Sequence, residues 1–214
     1  MHAYMTVPIS LGIFVFAENI FAMYTHHACA LFTTLRLHLE SIHSDIHDYG
    51  NIESGMEPTQ KLHRKIVMCV NMHENVIKFS NELESSGNMS YLIILMINVS
   101  MITITGIVTV MKFNTPSESA RFFAFTMGNV VYTFATCLMG QKLIDESEIV
   151  FHAAYSFEWY TLPMNLQSMV IPIMVKSLNP CQLTAGKIMS LSMDTFSLVL
   201  KNAMSLFTVL SSLR

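Results

Sequence analysis

Seven polar residues near the end of the chain, Ser190, Asp194, Ser197, Lys201, Ser205, Thr208 and Ser212, follow one another at steps of three or four. That spacing is one face of an α-helix. Around them the run Lys187–Arg214 is apolar, holds neither Pro nor Gly, and exceeds the ~20 residues that cross a bilayer. A spanning helix with one polar stripe must turn it toward polar partners or toward water. Hydroxyls at successive turns can replace part of a cation's hydration shell, and the Asp194 carboxylate would attract cations. Lys201 opposes that attraction from two turns away, ~10 Å along the axis. The competing reading, a soluble amphipathic core helix, fits poorly with the membrane-like character of the rest of the chain.

Other chemistry-bearing residues point nowhere so specific. Asp145, Glu146 and Glu148 cluster, but no nucleophile, metal set or phosphate loop accompanies them. They read as a solvated helix face, and no enzyme is expected. His43 and His47 stand at i and i+4 beside Asp45 and Asp48, a metal-ligand spacing without a third and fourth ligand. They read as solvated histidines, and no metal or cofactor is expected. His26 and His27 point to different helix faces. Cys29, Cys69, Cys137 and Cys181 form no CxxC pair and support neither a zinc site nor a disulfide framework. Glu18 interrupts an apolar segment and reads as a helix-packed acid partnered by a hydroxyl or amide. The sequons at Asn88 and Asn98 are discounted, one as cytoplasmic and one as lying inside a span.

The elements that must position these residues follow from composition and periodicity. The 214 residues are 52% hydrophobic and 13% charged, with a mean hydropathy of +0.45. Soluble domains carry about 25% charged residues, so the deficit indicates lipid as solvent. A net charge of −3 gives no case for nucleic acid. The eighteen methionines suit adaptable packing between helices. The opening MHAYMTVPIS lacks the basic region and cleavage site of a signal peptide. The expectation is an all-α, polytopic membrane helix bundle, a single domain over 1–214 with spans at about 4–35, 88–111, 122–140 and 187–213.

Residues 36–87 are the charged block, with a loop over 48–58 and then an amphipathic helix. In that helix Leu62, Ile66, Cys69, Val70, His73, Val76, Ile77 and Ser80 recur at helical spacing. Residues 141–160 form a charged helix, and 164–175 a helix too short to span. Basic residues concentrate in 36–87 (Arg36, Lys61, Arg64, Lys65, Lys78) and in 141–186 with its border (Lys142, Lys176, Lys187). The 112–121 loop has only Lys112 and Arg121. The positive-inside rule therefore makes 36–87 and 141–186 cytoplasmic and the C-terminus external.

Three stretches resemble insect odorant receptors. They are ENIFAMYTHHACALFTTLRLHL (Glu18–Leu39), LHRKIVMCVNMHENVIKFSNELE (Leu62–Glu84), and GQKLIDESEIVFHAAYSFEWY (Gly140–Tyr160) followed by Asn179–Leu210. The order is similar to spans four to seven of that seven-span family. The resemblance thus implies a fragment or truncated gene product, with Met1 an internal methionine. Leu206 stands where the family often has an aromatic before its Phe-Thr pair. The Thr-Tyr and terminal Gln-Phe of the related gustatory receptors are absent, which favours an odorant receptor over a gustatory-type chemoreceptor.

The resemblance implies a subunit of an odorant-gated, non-selective cation channel in the plasma membrane of olfactory sensory neurons. It would bind a volatile odorant and assemble with a co-receptor as a hetero-tetramer in the bilayer. The last helix would line the pore through Ser190, Asp194, Ser197, Lys201, Ser205, Thr208 and Ser212, with Val209 and Leu213 at an apolar constriction. Ligand contact is expected from Tyr4, Met5 and Ile9 on the first span and Phe122, Phe125, Met127 and Tyr132 on the third. The alternatives are a non-functional truncated receptor, a G-protein-coupled receptor, against which the inverted orientation argues, and a transporter, whose repeats and broken helices are not seen.

Overall fold

The computed structural model describes residues 2–49, 56–112, 115–156 and 158–212, with the backbone alone at 2–14, 17, 43–49, 56–59 and 210–212. Five α-helices dominate: α1 His2–Tyr49, α2 Met56–Met111, α3 Pro116–Ser156, α4 Met164–Ser177 and α5 Met193–Ser212. A short 3-10 turn, Trp159–Thr161, precedes α4. Strands β1 (Thr184–Ala185) and β2 (Met189–Ser190) form an antiparallel hairpin before α5. The helices α1, α2 and α3 run unbroken through the expected membrane borders near 35, 87 and 140. Of the loop expected over 48–58, residues 50–55 lie outside the described residues.

Two compact units divide the chain, one of Met1–Leu83 with Lys142–Cys181 and one of Glu84–Gln141 with Gln182–Arg214. The first owes its core to heptad-like apolar spacing. Phe32, Leu35, Leu39 and Ile42 of α1 are buried, as are Leu62, Ile66, Cys69, His73, Val76 and Ser80 of α2. Leu143, Val150 and Ala154 of α3, with Leu166, Val170 and Ile173 of α4, complete it. Alternating steps of three and four keep one helix face on its neighbours, and each large side chain so buried contributes roughly 1.5–3 kcal/mol.

Polar groups in this core are paired. His73 and the Ser177 hydroxyl share a hydrogen bond of 3.1 Å. Burial, with Lys176 nearby, pushes the His73 imidazole down to about 4, so it is neutral at physiological pH. Burial likewise raises the Cys69 thiol to about 11, which makes it inert. Thr33 Oγ1 donates to Glu146 Oε2 at 3.0 Å. Of the three carboxylates expected on a solvated face, Asp145 and Glu148 are exposed, whereas Glu146 is half-buried with a hydroxyl partner.

In the second unit Tyr91, Leu95, Ile102 and Thr105 of α2 and Thr133 and Cys137 of α3 are buried. Two hydroxyls join these helices, Thr126 Oγ1 donating to Thr105 Oγ1 at 2.8 Å. Pro116 sits at the first helical position of α3, where its missing N–H costs nothing. The Lys112 ammonium lies 3.0 Å from Glu118 across the α2–α3 turn and holds that carboxyl below its ordinary range.

Candidate functional site

The polar stripe starts later than its spacing suggests. The helix expected from Lys187 begins at Met193, and Ser190 lies on β2 instead of the helix. The cause is a tight turn. Gly186 and Lys187 both have positive φ, 62° and 59°, and Ile188 N donates to Ala185 O at 3.2 Å. This two-residue turn closes a hairpin. Gly186 N donates to Asn88 O at 2.8 Å, Leu191 N to Leu183 O at 2.8 Å, and the Thr184 hydroxyl to the Glu84 carboxylate.

Ser192 then starts the helix. Its carbonyl accepts from Phe196 N at 3.1 Å and its hydroxyl from Thr195 N at 3.4 Å, the geometry of an N-cap. Thr195 Oγ1 donates back to Ser190 O at 2.6 Å, and Met193 N donates to Gln141 Oε1 at 3.2 Å. Asp194 falls in the first turn, where the helix dipole favours a carboxylate.

Along α5, Thr195, Val199 and Ala203 are buried. Asp194, Ser197, Lys201, Ser205 and Thr208 are exposed, and so is Val209. The stripe therefore faces away from the neighbouring helices of its own unit. Ser197 donates its hydroxyl proton to Met193 O at 3.0 Å and Thr208 donates its own to Ser205 O at 2.8 Å. With the protons so committed, both oxygens are left as acceptors, the polarity that suits a cation or its hydration water. Only the backbone is described at Ser212, and Leu213 lies outside the described residues.

The expected ligand residues part company. Tyr132 lines a small cavity with Tyr91, Asn98, Thr133 and Thr136, which the sequence did not single out. Phe122, Phe125 and Met127 are exposed on α3 and do not line it. The side chains of Tyr4, Met5 and Ile9, and those of the His43–His47 pair, lie outside what is described. No group of three potential metal ligands occurs among the described residues.

Among the described residues, the α2 stretch within Gln60–Met111 and the α3 stretch within Pro116–Ser156 are long and apolar enough to cross a membrane. Their apolar side chains face outward, Ile93, Met96, Ile97 and Ile104 on α2 and Phe123, Phe125 and Val131 on α3, as lipid-facing residues do. The fold is that of a helical membrane bundle. More particularly, the chain belongs to the 7tm odorant receptor family, whose model matches residues 2–204.

Relatives and neighbours agree. The chain is similar to Odorant receptor 85f of Drosophila melanogaster, 22% identical over 82% of this chain and 44% of that one. It is 31% identical to the odorant receptor coreceptor of Harpegnathos saltator over 44% of this chain and 20% of that one. Its fold is similar to that of the insect olfactory receptor OR5 from Machilis hrabei in complex with eugenol, with a TM-score of 0.68 and 12% identity over 87% of this chain and 46% of that one. The chain thus spans less than half the length of these relatives.

Proposed function

We propose that the chain forms part of an odorant-gated, non-selective cation channel in the plasma membrane of olfactory sensory neurons, working with a co-receptor. The observation that carries this reading is the outward-facing stripe of α5, with acceptor oxygens at Ser197 and Thr208 and a carboxylate at its start. Hydroxyls and carboxylates on one side of an otherwise apolar helix are stable when that side lines water. Similarity to an odorant receptor coreceptor supports assembly with such a partner in a hetero-tetramer. The eugenol complex of the structural neighbour supports a small volatile ligand.

In this reading 36–87 and 141–186 are cytoplasmic, the spans are 4–35, 88–111, 122–140 and the α5 helix, and Val209 and Leu213 form an apolar constriction that gates by dewetting. The test is cysteine scanning of 205–213 in the assembled receptor with a water-soluble thiol reagent. Block should recur every three to four positions through Ser205, Thr208, Val209 and Ser212. Block without that period, or centred on Leu206 and Leu210, sinks the pore assignment.

A further inference from the structure

The cavity walled by α2, α3 and Leu191 belongs to no part of the proposed conduction path. The volume open to the centre of a water molecule is about 10 Å³, near the least that accommodates one water and far below what a drug-sized ligand fills. Its wall is polar where the rest of these helices is apolar. Asn98 of α2 brings an amide with two donors and one acceptor. That side chain has no protein hydrogen-bond partner among the described residues. Thr133 and Thr136 of α3 face the same space. Their hydroxyl protons are committed to Asn129 O at 2.9 Å and Tyr132 O at 3.1 Å, which leaves each oxygen as an acceptor.

We propose that this cavity is a single-water site. The bound water accepts from the Asn98 amide and donates to the Thr133 and Thr136 oxygens, so α2 and α3 are tied by a molecule that neither helix supplies. Donors and acceptors balance: one amide N–H points in, two hydroxyl oxygens receive, and the water satisfies the two to four contacts that keep a buried water in place. An amide in an apolar helix without such a partner would be a costly defect. Leu191 closes the same cavity and directly precedes the Ser192 cap, so the water also packs against the residue that fixes where α5 begins.

The experiment is millisecond radiolytic labelling of the assembled receptor, in which hydroxyl radicals born from ordered waters oxidise the side chains beside them. Cys137 is fully buried and lines the cavity, whereas Cys69 is equally buried and does not. Wild-type Cys137 should oxidise about tenfold faster than Cys69, although burial alone predicts equal rates. Asn98→Leu fills the cavity and should bring Cys137 down to the Cys69 rate. Thr136→Val, which keeps the shape and removes one acceptor, should lower it part of the way and serves if Asn98→Leu fails to fold. Equal rates at Cys137 and Cys69 in the wild type, or a Cys137 rate unmoved by Thr136→Val, would overturn the proposal.

Discussion

Gly128 and Gly140 lie on the same helix, α3, yet the same substitution should act on them in opposite directions. A Cβ built at Gly140 would sit 2.2 Å from the Leu191 carbonyl oxygen and 2.6 Å from Leu191 Cβ, whereas at Gly128 it meets nothing within 4 Å. Ordinary van der Waals contact begins near 3.4 Å, so Gly140→Ala forces Leu191 to retreat by about 1 Å, and overpacking of that kind costs about 1–3 kcal/mol. Both variants gain the same helix propensity, about 1 kcal/mol for Gly to Ala. Gly128→Ala should therefore stabilise by up to about 1 kcal/mol, and Gly140→Ala should lie about 1–3 kcal/mol below it. Thermal unfolding of the two purified variants, side by side, measures the gap directly. Because Leu191 immediately precedes the Ser192 cap, Gly140→Ala should also change ligand-evoked current. Equal melting temperatures for the two variants would refute the close approach of α3 to Leu191.

The neutral, buried His73 should make stability depend on pH. Its value is about 4 in the folded chain against 6.5 unfolded, so its contribution is whole above pH 6.5 and is lost as pH falls toward 4, about 3 kcal/mol in all. Unfolding curves from pH 7.5 to 4.5 for wild type and His73→Leu should diverge over that window, and parallel curves would contradict the burial. A double-mutant cycle of Thr105→Val and Thr126→Val should return a coupling of about 0.6–2 kcal/mol, and a coupling of zero in thermal unfolding would show that the hydroxyls do not meet. Lys187→Gly should stabilise the hairpin by about 1 kcal/mol, since a left-handed backbone penalises a side chain; a lower melting temperature would count against the positive φ at that position.

Much of this was legible where periodicity carries the information. Leu62, Ile66, Cys69, His73, Val76 and Ser80 recur at steps of four and three in the sequence, and all six are buried. Steps along one helix report which face is turned inward, and nothing more is needed to read them. The hairpin was hidden for the opposite reason. Its strands are two residues each, and the apolar run continues through Met189 and Leu191 into α5 without a breaker. Only Gly186, one residue before the run, marked the turn.

Contacts between distant residues were not legible either. Thr33 and Glu146 are 113 positions apart, and a carboxylate in a charged cluster gives no sign that a remote hydroxyl will reach it. Aromatic character misled in the same way. Phe122 and Phe125 suit an apolar pocket or a lipid-facing surface equally well, and only the fold separates their exposed positions from that of Tyr132.

The anchoring of α5 at one end gives it the mechanics of a cantilever. Its root is clamped by the Ser192 cap, the Gln141 contact and the hairpin, while Met204, Leu206 and Val209 near the tip are exposed. Val209 stands seventeen residues beyond Ser192, a lever arm of about 25 Å at 1.5 Å per residue. A tilt of about 5° about the root would sweep Val209 sideways by about 2 Å but Asp194 by only about 0.3 Å. The same rotation that barely disturbs the carboxylate at the base is amplified at the tip to more than the radius of a water molecule. Stiffness at the root then sets how much force the tip can transmit.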